Sequence, residues 1–417
     1  MRTSLNYESN REIDERERER EKGEHGGAAA PFKLFFLVLE KILEEWICWS
    51  DKSFRAKNRK SKLLEHSCLL LQGMHFPIYC FGSQSLKEDT SFEELSCIAE
   101  EEQSMLDAVL LSQWEDRLLK DFFKYDVTTS EIKVITGNMK FLSQLNEGQI
   151  TDHQSKSEGS TLHEFNPLVF DCMKHPEELL FCLASSKKAK SELTPSASVP
   201  DCAVLVIINV TPVEYGHVYL VPCASNKLYP FLDARSIEIS TRLAAEINNQ
   251  SFRVFYDCYR PNCSAVYFEA CYLPHPLPVE FRPVSTFFGG GRRGIHICSI
   301  TDYPIKTLSF KTTHNLKILA AAISEICFHL EEKDIQYNLM ISDSGKRIFL
   351  FLQQTCAASR AISAWECGGY FLFADRYEFD RITEDAMVNR LSSFSLDVHN
   401  FEAVKQLCCS IASKFDV

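Results

Sequence analysis

The sequence predicts an α+β protein: an antiparallel sheet with helices packed on it, followed by a second, smaller and related α+β module. Three observations carry this expectation. Cys202 to Val210 is a nearly unbroken apolar and β-branched run, and it turns through Pro212 and Gly216 into a second apolar run, Val218 to Val221. That is the pattern of a buried β-hairpin. Met105, Leu106, Val109, Leu110, Trp114 and Leu118 recur at three- and four-residue spacing, the period of an amphipathic helix. Beyond Gly289-Gly290-Gly291, a helix (316–331), a strand pair (337–341 and 347–352) and a final helix (400–415) form a compact α+β set of their own.

In chain order, residues 1–65 read as a charged tail. Arg11 to Glu24 alternates Arg and Glu without an apolar face, and six positive charges fall between Lys52 and Lys62, either a nuclear address or a solvated surface. A first domain follows over 66–284. It opens on a strand at Pro77-Ile78-Tyr79, and the acidic run Glu93 to Glu102 leads into the helix, which ends near Phe123. Lys133 to Ile135 and Phe141 to Leu145 flank Gly137-Asn138, a hairpin pattern. Residues 151–161 and 185–200, rich in Ser, Lys, Thr and Pro, read as mobile surface loops. A helix over 234–248 and strands at Phe252 to Tyr256 and Val266 to Leu273 complete the first domain. The glycine triplet with Arg292-Arg293 lacks a Lys at phosphate-loop spacing and a helix start after it, so it reads as the junction to a module over 285–417.

Composition limits the function classes. The chain has 417 residues, enough for two or three folding units. Its 45 Lys+Arg against 57 Asp+Glu give a net charge of -12, which excludes broad attraction to nucleic acid or anionic membrane. Leu34 to Leu39 is too short and too closely followed by charges to span a bilayer. Seventeen scattered cysteines without a cleavable leader read as reduced thiols in the cytoplasm, with the nucleus as a second compartment. Cys408-Cys409 and the pair Cys258 and Cys263 lack the spaced partners of a zinc site.

One constellation is specific. Asn209-Val210-Thr211-Pro212-Val213-Glu214-Tyr215-Gly216-His217-Val218, followed by Leu220-Val221-Pro222, resembles the strand-turn-strand signature of the GDP-L-galactose phosphorylase family. That family belongs to the galactose-1-phosphate uridylyltransferase branch of the histidine-triad superfamily. Trp114-Glu115-Asp116-Arg117, Tyr125-Asp126-Val127-Thr128, Gln144-Leu145-Asn146-Glu147-Gly148 and Ile341-Ser342-Asp343 look like family segments in the family's order, and the resemblance runs from about Leu71 to the C-terminus. It implies a histidine-triad-like fold and transfer of GMP from GDP-L-galactose to inorganic phosphate, a step of ascorbate biosynthesis, with no metal and no cofactor. The implied route is ping-pong: an imidazole attacks the α-phosphorus, and phosphate then takes GMP from the phosphoimidazole. Asn146, Asn209, Glu214, Tyr215, His217 and Arg260 are the nucleotide- or sugar-binding candidates that it implies. For Asn146, Glu214 and His217 a turn residue bonded to nearby backbone is the competing reading.

The same resemblance locates a departure. The family's nucleophile is the second His of a His-x-His-x-Gln strand, and the aligned strand here reads Ala265-Val266-Tyr267-Phe268-Glu269. Period two puts Ala265, Tyr267 and Glu269 on one face, the one that would meet substrate. A tyrosine is protonated at neutral pH, and a Glu carboxylate about 4 Å from a phosphate oxygen costs roughly 4 kcal/mol at an effective dielectric near 20. Gln149 and Cys223 stand where the family usually has basic residues, while Arg260 in the 257–263 loop is a substitute charge. Three functions follow from different classes: a GDP-sugar-binding or regulatory paralogue with lost transfer chemistry, an active or slow GDP-hexose phosphorylase or hydrolase with another nucleophile, and a protein-interaction module. The implied partners are a GDP-hexose or guanine nucleotide, phosphate if active, and a second copy or an active paralogue.

Overall fold

The hairpin read from the apolar runs lies in the interior of the main sheet. β6 (Val204–Ile208) and β7 (Tyr215–Ala224) pair antiparallel from Val204↔Pro222 to Ile208↔Val218. Every β6 residue is buried, because both faces of its sheet are covered and both faces of the strand are apolar. The structure is a computed structural model that describes residues 74–83, 103–124, 126–147, 175–224, 227–228, 231–258, 265–289, 294–312, 315–354 and 362–415. All lie in one unit, Leu64–Val417. The Arg/Glu alternation, the 52–62 charges, the 93–102 and 151–161 segments, Arg260 and Gly290 to Arg293 fall outside the described residues.

In chain order the described elements before that hairpin are β1 (His75–Phe81), α1 (Met105–Leu119), β2 (Glu131–Val134), β3 (Leu142–Leu145), β4 (Leu179–Ser185) and β5 (Glu192–Ser198). After it, beyond a two-residue β8 (Lys227–Leu228), come α2 (Ala234–Ile247), β9 (Phe252–Asp257), β10 (Phe268–Tyr272), β11 (Val284–Gly289), β12 (His296–Ile300), β13 (Thr307–Lys311), α3 (Leu316–Glu332), β14 (Gln336–Ser342) and β15 (Arg347–Gln353). The chain closes with α4 (Ala364–Gly368), β16 (Tyr370–Phe373), α5 (Arg376–Arg381), α6 (Glu384–Phe394) and α7 (Val398–Lys414). The helix starts carry the expected chemistry. Ser104 accepts from the Asp107 N–H at 3.1 Å, and Asp233 accepts from the Ser236 N–H at 2.8 Å, each satisfying an orphan donor of the first turn.

Among the described residues thirteen strands make one sheet, ordered β11-β12-β13-β15-β14-β9-β10-β7-β6-β4-β1-β5 with β8 beside β7. Two copies of one topology meet in it. A hairpin, a helix and a second hairpin give the order β9-β10-β7-β6 in the first half, and the same succession gives β14-β15-β13-β12 in the second. The halves join antiparallel through Val254↔Ile341 and Asp257↔Asn338, so the sheet is continuous across the two modules.

Three expectations change. The sheet is not wholly antiparallel, since β1 runs parallel to β4. Residues 185–200 are not all loop, since Glu192–Ser198 is an edge strand against β1. Its register slips between Phe76 and Ile78, where Pro77 faces Pro195 and Ser196, the edge-and-bulge setting in which a strand tolerates proline. Gly216 lies in β7 rather than in the turn.

The sheet buries both faces. α1, α2, α3 and α7 cover one, with Leu110, Trp114, Leu243, Ile323 and Val404 in a shared core. The other packs against α4, α6 and a three-stranded sheet β16-β3-β2, through Phe255, Phe349, Phe351, Trp365 and Leu391. That second face holds the site.

Candidate functional site

β10 deals its residues alternately to the two faces. Val266, Phe268, Ala270 and Tyr272 enter the helix-side core. Ala265 and Tyr267, just ahead of the strand, pack on the opposite face with Leu205, Ile207 and Tyr219, and the Tyr267 ring meets Tyr219 edge-on at 5.7 Å. Glu269 follows on that face, pairing in register with Tyr219 of β7 and Phe255 of β9.

A bulge in β7 aims His217 at Glu269. Ala270 pairs with Val218 and Tyr272 with Tyr215, so Gly216 and His217 together oppose Cys271. Gly216 takes φ +67, and a Cβ there would lie 2.5 Å from the Tyr272 ring, so only glycine fits the bulge. The extra residue reverses the alternation. Tyr215 therefore turns to the helix side, where its ring lies 4.6 Å from Trp114 and its hydroxyl donates to Glu115. Burial and that carboxylate push the hydroxyl up to about 12. The structure does not bring Tyr215 together with the other candidates.

His217 is buried and its tautomer is fixed by its neighbours. The Val213 N–H donates to Nδ1 at 3.0 Å, and the Asn209 amide nitrogen lies 3.3 Å from the same atom. A backbone N–H can only donate, so Nδ1 is the acceptor nitrogen and the neutral ring carries its proton on Nε2. Asn209 is held by an Asx turn, its Oδ1 accepting from the Thr211 N–H at 2.9 Å. Nε2 has no hydrogen-bond partner and points at Glu269 Oε2 across 3.7 Å, too far for a hydrogen bond.

The second half supplies groups with no signal in the linear sequence. The Trp365 Nε1–H, 96 positions from its partner, donates to Glu269 Oε2 at 2.8 Å, and the indole stacks on Phe255 at 4.3 Å. Tyr370 donates to Glu214 and packs edge-on against Trp365 at 5.6 Å. Glu214 is 6% exposed, and burial raises its carboxyl to about 7 against the opposing Tyr370 and Tyr215 hydrogen bonds. Cys271 lies near both carboxylates, and burial first, then their charge, pushes its thiol well up. α4 is fixed from several sides. Asp257 Oδ1 accepts from the Ala364 N–H at 2.6 Å, and the Asn338 and Gln353 amides donate to Ile362 O at 2.7 and 3.2 Å.

β3 reaches the same region. Gln144 donates to Val213 O at 2.7 Å, and Asn146, whose N–H bonds Phe373 O at 2.8 Å, keeps a buried amide nitrogen without a partner. Of the sequence candidates, His217, Glu269, Glu214 and Asn209 are thus gathered at β7 and β10, with Ala265 and Tyr267 beside them. Among the described residues no group of three or more His, Cys, Asp or Glu could hold a metal ion, and no helix is long and apolar enough to cross a membrane.

Comparison with known proteins places this architecture. Residues 105–271 match the family described as "GDPGP1-like, N-terminal domain", and residues 278–415 match "GDPGP1-like, C-terminal domain". The chain belongs to the GDPGP1-like family. Its relatives include GDP-L-galactose phosphorylase 1 of Arabidopsis thaliana, 30% identical over 73% of each chain. GDP-L-galactose phosphorylase 2 of the same plant is 31% identical over 73% of this chain and 76% of its own. Human GDP-D-glucose phosphorylase 1 is 25% identical over 75% and 85%. The family is thus one of nucleotide-sugar phosphorylases. The crystal structure of yeast Ap4A phosphorylase Apa2 shares the fold with TM-score 0.50 at 10% identity, over 70% of this chain and 98% of that one. This GDPGP1-like chain therefore has a histidine-triad-type fold, as the resemblance implied.

Proposed function

We propose that this family member binds a GDP-hexose or guanine nucleotide but has lost histidine-mediated nucleotidyl transfer, and serves as a GDP-sugar-binding or regulatory paralogue. The observation that carries this is the state of His217. Among the described residues it is the one buried histidine. Its Nδ1 lone pair receives the Val213 N–H, and Nε2 holds the proton. Neither nitrogen offers a lone pair to phosphorus, and a nucleophile needs one. At the position that the family resemblance gives the nucleophile stands Tyr267, 3% exposed and packed among apolar side chains. GDP-L-galactose is the first ligand to test, because the relatives named for it are 30–31% identical and those named for GDP-D-glucose 23–27%.

What the residues can still do is bind. His217 and Trp365 present N–H donors, Glu214 and Glu269 are carboxyl groups, and the Asn146 amide nitrogen is unpartnered, a set suited to phosphate oxygens and sugar hydroxyls. The test is GDP release from GDP-L-galactose with and without phosphate, for the parent and for a variant carrying Ala265→His, Tyr267→His and Glu269→Gln. The expected result is a silent parent and a phosphate-dependent variant. Turnover by the parent refutes the reading and demands another nucleophile, whereas silence in both favours an interaction module.

A further inference from the structure

We infer that the Glu269 carboxylate is a resident anion in a two-donor site built by His217 and Trp365, and that it competes there with a phosphate oxygen of a nucleoside diphosphate. The inference rests on the nucleotide-binding reading above and deepens it.

The two donors converge on one atom. Trp365 Nε1–H lies 2.8 Å from Glu269 Oε2, and His217 Nε2 lies 3.7 Å from the same oxygen. Both are obligate donors: indole nitrogen has no lone pair in its plane, and His217 is held with its proton on Nε2 by the Val213 N–H. His217 Nε2 is buried and has no hydrogen-bond partner, and a buried donor left unpaired is costly. An oxygen placed between the two would satisfy it. Neither donor is free to follow a ligand. The indole is stacked on Phe255 and carried by α4, which Asp257 and Asn338 tie to the rest of the fold, and the imidazole is fixed in the β7 bulge. Of the three groups Glu269 is the most exposed, at 14% of its side chain, and that side chain has three torsions through which to turn aside.

Carboxylate and phosphate oxygens are both anionic acceptors, so the same pair of N–H groups suits either. They cannot both be present, because two anions about 4 Å apart repel strongly outside bulk water. Nucleotide must displace Glu269, and its affinity is lowered by that displacement. Glu269→Gln keeps the shape and an acceptor oxygen but removes the charge.

The test is calorimetric titration of the full chain with GDP and, separately, with guanosine. The proteins are the parent, Glu269→Gln, and Glu269→Gln with Trp365→Phe, which keeps an aromatic ring on Phe255 and loses the donor. Expected is at least about tenfold tighter GDP binding by Glu269→Gln, about 1.4 kcal/mol, with guanosine affinity unchanged. Trp365→Phe should take back most of the gain. Nitrogen NMR of the parent should show His217 protonated at Nε2 and bare at Nδ1. Equal GDP affinity in parent and Glu269→Gln, or weaker binding in the variant, overturns the competition and leaves nucleotide binding standing. Absence of GDP binding in all three proteins, each folded by circular dichroism, overturns the binding reading and the competition with it.

Discussion

Glu214→Gln should flatten a pH dependence of stability that the buried carboxyl imposes. The carboxyl ordinarily ionises near 4.5 and is raised to about 7 in the folded chain, burial being the largest cause. Between those values the unfolded chain has released its proton and the folded chain has kept it, so unfolding releases a proton and stability falls as pH rises. At ~1.36 kcal/mol per pH unit, the gap from 4.5 to about 7 amounts to about 3 kcal/mol. The contribution is fully present below pH 4.5, is lost progressively through the window, and is gone above the folded value. Gln keeps an acceptor for the Tyr370 hydroxyl and cannot ionise. The assay is urea unfolding of parent and variant at several pH values, read as the difference between the two free energies, which cancels every other titrating group. That difference should fall by about 3 kcal/mol from the acid to the neutral end. A flat difference, or one that rises with pH, refutes the account of Glu214 as a carboxyl whose ionisation is opposed by burial.

Other perturbations test the surrounding frame. Tyr370→Phe removes the hydroxyl that favours ionised Glu214, so the midpoint of the same difference curve should move to higher pH. Gly216→Ala forces a side chain into positive φ, which costs about 1–2 kcal/mol, and against the Tyr272 ring. Urea unfolding should show at least that loss, and GDP affinity should drop as the bulge that aims His217 distorts. Glu280→Ala leaves Arg253, whose guanidinium makes bonds of 3.0 Å to both carboxylate oxygens, as a buried charge without its partner. That should cost about 3–5 kcal/mol, seen as a lowered thermal midpoint.

Local pattern reached far into this fold. The apolar run at β6, the helix-period residues of α1 and the capping residues of α2 act within a few positions of themselves, so their structure is legible one segment at a time. Pairing partners are not local. The parallel contact of β1 with β4, from Ile78↔Cys182 to Phe81↔Ser185, joins segments about a hundred residues apart, and nothing in either strand encodes the direction. The Pro195 strand hid for a different reason: its composition is that of a loop, and an edge position beside a bulge is what makes proline tolerable there.

The site divides in the same way. Period two along 265–269 puts Ala265, Tyr267 and Glu269 on one face, because alternation is a property of extended backbone itself. The neighbouring motif named Tyr215 and His217 together, and alternation alone would place them on the same face. The bulge at Gly216 separates them, and its presence follows from the register of β7 against β10, a tertiary fact. The sequence by itself determined the family and the shared strand face of Ala265, Tyr267 and Glu269. The tertiary structure decided which donors meet Glu269 and Glu214, because Trp365 reaches the first and Tyr370 the second from the far half of the chain, through α4 and β16 packed on the sheet. It also decided where the proton sits on His217, because that is set by a backbone N–H four residues away that only the folded turn brings to Nδ1.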